Sequence, residues 1–143
     1  MMRAAAEAAT EAAKAQNIPR PMVIAVTVLT SLDAGDLEAV GQMGPAADQV
    51  IRLARLTREC GLDGVVCSPK EVAGVREACG PDFKLVVPGI RPNLSLSNDQ
   101  KRTAGPADAV SAGADILVIG RPITRAPDPA AAARAMAAPL AAG

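Results

Sequence analysis

Four times along the chain a short apolar run of strand length gives way to a segment that opens as a helix. The runs cover residues 22–29 (MVIAVTVL), 64–67 (GVVC), 83–87 (FKLVV) and 116–119 (ILVI). They are rich in β-branched residues and show no polar alternation, the pattern of strands covered on both faces. Strands of that kind separated by helices specify a parallel sheet with right-handed crossovers.

The helix starts repeat as well. Gly44-Pro45, Ser68-Pro69, Gly105-Pro106 and Asp128-Pro129 each set a capping-type residue before proline. Proline is tolerated at the first helical position, where its missing N–H has no intrahelical acceptor. Ser68 with Glu71 adds a capping box. In the helix from 45 to 60, Ala47, Val50, Ile51 and Ala54 have the spacing of one buried face. Gly61, Gly80 and Gly113 are placed to end helices. The pattern predicts strands near 22–29, 62–67, 83–88 and 115–119, and helices near 2–16, 45–60, 69–79, 106–112 and 128–138, in a single partial domain over 1–143.

Two architectures fit an α/β chain of this kind: an open doubly wound sheet, or part of a (β/α)₈ barrel. Four strand–helix units are half of eight. The chain also opens on an alanine-rich helix, which in such a fold follows a strand. Both features favour the C-terminal half of a (β/α)₈ barrel.

Composition removes several chemistries. There is no histidine, so no Ser-His-Asp triad, Cys-His pair or histidine-bearing zinc site. Cys60, Cys67 and Cys79 form no CxxC pair and are expected as buried free thiols of a cytoplasmic protein. Fifteen Lys and Arg balance fifteen Asp and Glu, which argues against a nucleic-acid grip. No apolar run approaches the roughly 18 residues of a membrane span. The first residues carry acids and no apolar core, unlike a signal peptide. Alanine supplies 31 residues, with one Phe and no Tyr or Trp, so few large side chains are available to seal a small globule.

Ligands of parallel α/β folds bind beyond the carboxyl ends of the strands. The residues there are Thr30-Ser31, Ser68, the stretch 88–92 (PGIRP) and Gly120-Arg121-Pro122. A glycine after the last strand lets backbone N–H groups approach an anion, and Arg121 adds a planar fork of donors. The alternative is a strand-end turn with a solvated arginine. Residues 89–105 have no helical or strand period and are long for a connection, as lids and binding loops are. A floppy surface insertion reads the same way. Thr30-Ser31 fits an ordinary turn, Cys67 fits the core, and Asp33 and Asp36 fit caps rather than a metal pair.

Taken in register, VTVLTS at 26–31, GLDGVVCS at 61–68, PGIRP at 88–92, Asp99-Gln100 and VIGRPIT at 118–124 resemble the C-terminal half of the bacterial orotidine 5′-phosphate decarboxylase family. The likeness runs from about residue 1 to residue 139, and Met1-Met2 resembles a block internal to that family. The resemblance implies a homodimeric (β/α)₈ barrel, a cytoplasmic carboxy-lyase of pyrimidine biosynthesis. It would convert orotidine 5′-phosphate to UMP and CO₂ without metal or organic cofactor. It further implies that Thr30 contacts the base or ribose side of the nucleotide. By the same resemblance Arg91, Gly120 and Arg121 would hold the phosphate, and Gln100 would reach from the lid between base and phosphate.

The family's proton donor is a lysine in an Asp-x-Lys-x-x-Asp block, and no such block occurs in these 143 residues. The chain as given is therefore expected to be inactive, a truncated reading of a longer enzyme gene. The alternative is a non-catalytic phosphate- or nucleotide-binding half-barrel.

Overall fold

A computed structural model describes residues 1–91 and 104–140. Its centre is a parallel sheet of four strands in the order β1 (Ile24–Val26), β2 (Gly64–Val66), β3 (Lys84–Val87) and β4 (Ile116–Leu117). The elements between them are α1 (Met2–Gln16), α2 (Ala34–Ala39), α3 (Ala46–Glu59), α4 (Val72–Cys79), α5 (Pro106–Ser111), α6 (Arg121–Thr124) and α7 (Pro129–Ala137). Single 3₁₀ turns at Pro69–Glu71 and Ala138–Leu140 precede α4 and follow α7.

The register divides the sheet into two unlike faces. Ile24, Gly64 and Lys84 are aligned, then Ala25, Val65 and Leu85, then Val26, Val66, Val86 and Ile116. Side chains alternate along a strand, so the second row faces opposite to the first and third. Val65, Leu85, Cys67 and Val87 are fully buried against Val50 and Ala54 of α3, Val72 and Val75 of α4, and Ala109 of α5. Each fully buried Val or Leu contributes roughly 1.5–3 kcal/mol relative to exposure. The other face stays out of this core. Val26 is 59% exposed and Ile116 40%. The expectation of strands buried on both faces is thus corrected. Helices cover one face only, and the opposite row is apolar because in a full barrel it lies inside.

The strands are also shorter than predicted. Thr27 ends β1: its N–H and its hydroxyl both go to the Val66 carbonyl, at 3.3 and 2.7 Å. β4 has one neighbour, and its pairing ends with the Val118 N–H on the Val87 carbonyl. Pro45 proves to be the cap of α3 rather than its first residue, with extended backbone and its carbonyl taking the Asp48 N–H. The buried face of α3 accordingly runs through Val50, Ala54 and Thr57, with Ala46 half-buried and Ala47 exposed. The predicted helix at 69–79 starts as a 3₁₀ turn, drawn tight by the Ser68–Glu71 capping box. α3 and α4 end before Gly61 and Gly80, whose φ angles of 80° and 84° suit glycine. Two short helices were not predicted. α2 is capped reciprocally by Asp33 and Asp36, the capping role expected of that pair. α6 opens on Gly120 with Pro122 in its first turn, the same cap-and-proline signature, in a stretch read as a turn. All three cysteines are free; Cys67 and Cys79 are buried and Cys60 half-buried.

A repeated device fastens the amino ends of the strands. The Gly-x-Asp step occurs at Gly61-Leu62-Asp63 before β2 and at Gly113-Ala114-Asp115 before β4. Asp63 accepts the Val23 N–H at 2.6 Å and both Arg20 Nη1 bonds, at 2.8 and 2.7 Å. Asp115 accepts the Leu85 N–H at 2.8 Å, Arg76 Nη2 at 2.6 Å and Lys84 Nζ at 3.3 Å. Each carboxylate thus ties its own strand to the one before. Arg76 extends the second clamp, donating to the carbonyls of Gly80, Pro81, Phe83 and Gly113. A Cβ on Gly64 would lie 2.1 Å from the Lys84 carbonyl oxygen, so this contact of β2 and β3 requires glycine.

Burial alone pushes Asp63 and Asp115 up, but the backbone N–H donors and the cations outweigh it and hold both carboxyls below the usual value. Their folded-state pKa is depressed. The stability they add is therefore full above the unfolded carboxyl pKa of about 3.9 and is lost as pH falls through the lower folded values. Thermal melts of the wild type should be flat in this respect above about pH 5 and weaken below about pH 4. Asp63→Asn and Asp115→Asn should lower the Tm at neutral pH and flatten the acid limb. An unchanged acid limb in both variants would contradict the clamp.

Candidate functional site

All four strands are parallel, so their carboxyl ends share one rim. The polar residues buried in the described chain are concentrated there. Of five such side chains, Thr30, Ser68, Glu71 and Arg91 follow the ends of β1, β2 and β3, and only Thr57 lies elsewhere, on α3. Burying polar groups away from water is costly unless they are paired, so this concentration is the main mark of a site.

Thr30 sits in the turn after β1, where the Leu32 N–H reaches the Leu29 carbonyl at 3.0 Å. It is buried and already hydrogen-bonded. The expectation of a capping turn and that of a site residue therefore describe the same position.

Arg91 follows β3. Its backbone N–H donates to the Ala104 carbonyl at 3.0 Å, and Ile90 pairs with Ala104 as a parallel bridge. The described ends of the 89–105 stretch are thus held side by side, Ile90 being fully buried, while 92–103 lie outside the described residues. The Arg91 side chain is only 6% exposed. Its Nη1 donates to the Ile90 carbonyl at 2.9 Å, and among the described residues no carboxylate pairs with it. Gln100 lies outside the described residues, as do Asp99 and the rest of 92–103.

Gly120 and Arg121 open α6 directly after β4. Among the described residues, and apart from its own chain neighbours, nothing lies within 4 Å of where a Cβ on Gly120 would be, so their packing does not demand this glycine. Arg121 is half-buried and has a partner of its own in the chain. The structure thus brings Thr30, Arg91, Gly120 and Arg121 to one end of the sheet.

Glu71 was not singled out from the sequence for anything but its cap. Its carboxylate is buried beside Ser68, taking the Ser68 N–H at 2.8 Å and the Ser68 hydroxyl. The exposed box of Asp33 and Asp36 shows that capping alone does not require burial. No signal in the sequence separates the two boxes, because both read as the same four-residue pattern. Lys84 stands at the opposite end, at the start of β3 and bonded to Asp115, as its position in the run suggests.

Comparison with known proteins gives a consistent result. The model of the "Orotidine 5'-phosphate decarboxylase / HUMPS family" matches residues 1–136. An orotidine 5′-phosphate decarboxylase of Paramagnetospirillum magneticum is 57% identical over 140 residues, covering 98% of this chain and 60% of the relative. One from Moorella thermoacetica is 57% identical over 141 residues, covering 98% and 56%. The crystal structure of the Lactobacillus acidophilus orotidine 5′-phosphate decarboxylase superposes with a TM-score of 0.78 at 36% identity, over 98% of this chain and 58% of that one. The chain spans little more than half the length of these relatives, and its four parallel strands correspond to half of their barrel. With the family model matching almost from end to end and the rim residues gathered after parallel strands, the chain belongs to the orotidine 5′-phosphate decarboxylase / HUMPS family.

Proposed function

We propose that this chain supplies the phosphate-holding half of an orotidine 5′-phosphate decarboxylase site. Arg91 carries the reading. A buried guanidinium without a carboxylate partner among the described residues is costly, and a bound dianion removes that cost through charge-assisted hydrogen bonds. Arg121 supplies a second fork, and among the described residues Gly120 leaves its space open for backbone N–H groups to approach the same anion. Thr30 meets the base or ribose side, and Gln100 reaches the nucleotide from the stretch whose described ends Ile90 and Ala104 hold side by side.

The reaction breaks the bond between the ring and its carboxylate. CO₂ leaves, the electron pair stays on the ring carbon, and a proton from an acid completes UMP. Grip on the remote phosphate stabilises the transition state without touching the reacting carbon. The acid is the part this chain does not provide, since it holds no Asp-x-Lys-x-x-Asp block and Lys84 lies at the far end of the sheet. Alone, the chain binds phosphorylated nucleotide without turning it over. A cytoplasmic setting accords with its three free thiols.

Two measurements test this. With the complementary barrel half supplied, decarboxylation should appear. Arg121→Ala should then lower kcat/KM for orotidine 5′-phosphate by about 10–100-fold, one or two charge-assisted bonds' worth, and leave the phosphate-free nucleoside nearly unchanged. An equal loss on both substrates would make Arg121 a structural residue. In the chain alone, Arg91→Met should raise the Tm when no anion is present, a gain of about 1 kcal/mol giving roughly 4 °C. Inorganic phosphate or UMP should raise the Tm of the wild type but not of the variant. A lower Tm for Arg91→Met without anion would show that Arg91 is satisfied within the fold.

A further inference from the structure

Arg20, Arg76 and Lys84 are each held by a carboxylate. Three arginines on α3 are not. Arg52, Arg55 and Arg58 are exposed, and among the described residues none of them forms an ion pair. Their one hydrogen bond there runs from Arg58 Nη1 to the Ala78 carbonyl, at 3.4 Å. Set three residues apart, they climb the helix as one slanting stripe about 9 Å long. Like charges at neighbouring helical positions repel, so the stripe costs α3 stability that nothing described here returns. Burial raises the pKa of the Cys79 thiol, while Arg58, Arg55 and Arg76 pull it down, so the field of the stripe reaches the end of α4.

The stripe belongs to a face bounded on both sides by this chain. α1 flanks α3 through Met2 and Thr57, and α4 flanks it where a Cβ on Gly74 would meet Ile51 at 3.3 Å. Two hollows border the arginines. One of about 430 Å³ is lined by Met43, Gly44, Asp48, Ile51, Arg52 and Arg55. The other, of about 170 Å³, is lined by Arg55, Arg58, Glu59 and Ala78. Leu56, 45% exposed, stands one turn from Arg52 and from Glu59.

The acids decide what this face accepts. Asp48 and Glu59 each line one of the two hollows, beside the arginines. A uniform polyanion, such as nucleic acid or an anionic membrane, would bring negative charge onto both. A protein segment can set carboxylates opposite the arginines alone and an apolar side chain on Leu56. A helix presents such groups at intervals of three and four residues, the intervals of the stripe itself. We propose that the outer face of α3 is a docking surface for an acidic amphipathic helix of a partner protein, its carboxylates on Arg52, Arg55 and Arg58 around an apolar contact with Leu56.

Fluorescence anisotropy with the 143-residue chain tests the proposal. The probe is a labelled alanine-based peptide of about 20 residues, long enough to be helical in water. It carries one leucine among three glutamates spaced three and four residues apart. Saturable binding is expected, with a Kd below about 500 μM at low salt. Its glutamine counterpart should bind at least about 10-fold more weakly, and equal binding of the two would overturn the proposal. Arg55→Gln should weaken binding about 3–5-fold, the effect of one exposed ion pair. Its Tm should hold or rise, and a fall of several degrees would show that the fold itself satisfies Arg55. Arg55→Glu should abolish binding, and one of the three Glu→Lys peptides should restore it for that variant alone. Arg134→Gln, which removes an exposed cation of α7, should leave binding unchanged. An equal loss there would reduce the effect to net charge and overturn the proposal. So would tighter binding of oligothymidylate or phosphatidylserine vesicles than of the peptide. Binding must also survive when the complementary barrel half is supplied, and its loss would mean that another part of the barrel takes this face.

Discussion

A carboxylate just before a strand, taking an N–H near the start of the preceding strand and an arginine, sets the frame on which the rest depends. Asp63 does this between β1 and β2, and Asp115 between β3 and β4. Short parallel strands have few ladder bonds to hold their register, here two to four residues each. A side-chain acceptor fixed at one end supplies what the ladder lacks. With the amino ends fixed, the carboxyl ends of all four strands arrive at one level, and the turns that follow them are brought together. The Arg76 guanidinium extends the clamp to the end of α4 and the turn before β4, so one side chain couples three segments.

The two ends of the sheet divide stability from ligand chemistry. At the amino end the charges are paired: Arg20 with Asp63, and Arg76 and Lys84 with Asp115. At the carboxyl end Arg91 is buried without an acid among the described residues, and Glu71 is buried on a serine. The same residue types thus play opposite parts, and only their partners tell them apart. Such tension at one end of a fold is where function is expected to cost stability.

Much of this was legible in the sequence because it is local. The apolar runs gave all four strands, and the cap-and-proline pairs marked the helix starts, since both signals depend on neighbours within four residues. Alignment of PGIRP and VIGRPIT with strand ends placed Arg91, Gly120 and Arg121 at the rim. What depends on distant neighbours was not legible. Ala47 and Ala46 are alike in sequence, and only the direction of α3 decides which faces the sheet. The runs at β1 and β4 read like those at β2 and β3, yet their outer rows are exposed, because burial depends on what lies across the sheet. The burial of Glu71, against the exposure of Asp36 in an equivalent cap, was hidden for the same reason. The Gly-x-Asp clamps show as a repeat, but their partners lie 30 to 43 residues away.

The most direct test of the central claim follows the arginine side chains themselves. Guanidinium Nε–H signals of the ¹⁵N-labelled chain can be titrated with UMP and, separately, with uridine. Arg91 and Arg121 should shift together and saturably with UMP and stay in place with uridine. Shifts confined to Arg52, Arg55 and Arg58 on the exposed face of α3, or equal responses to the two ligands, would contradict it.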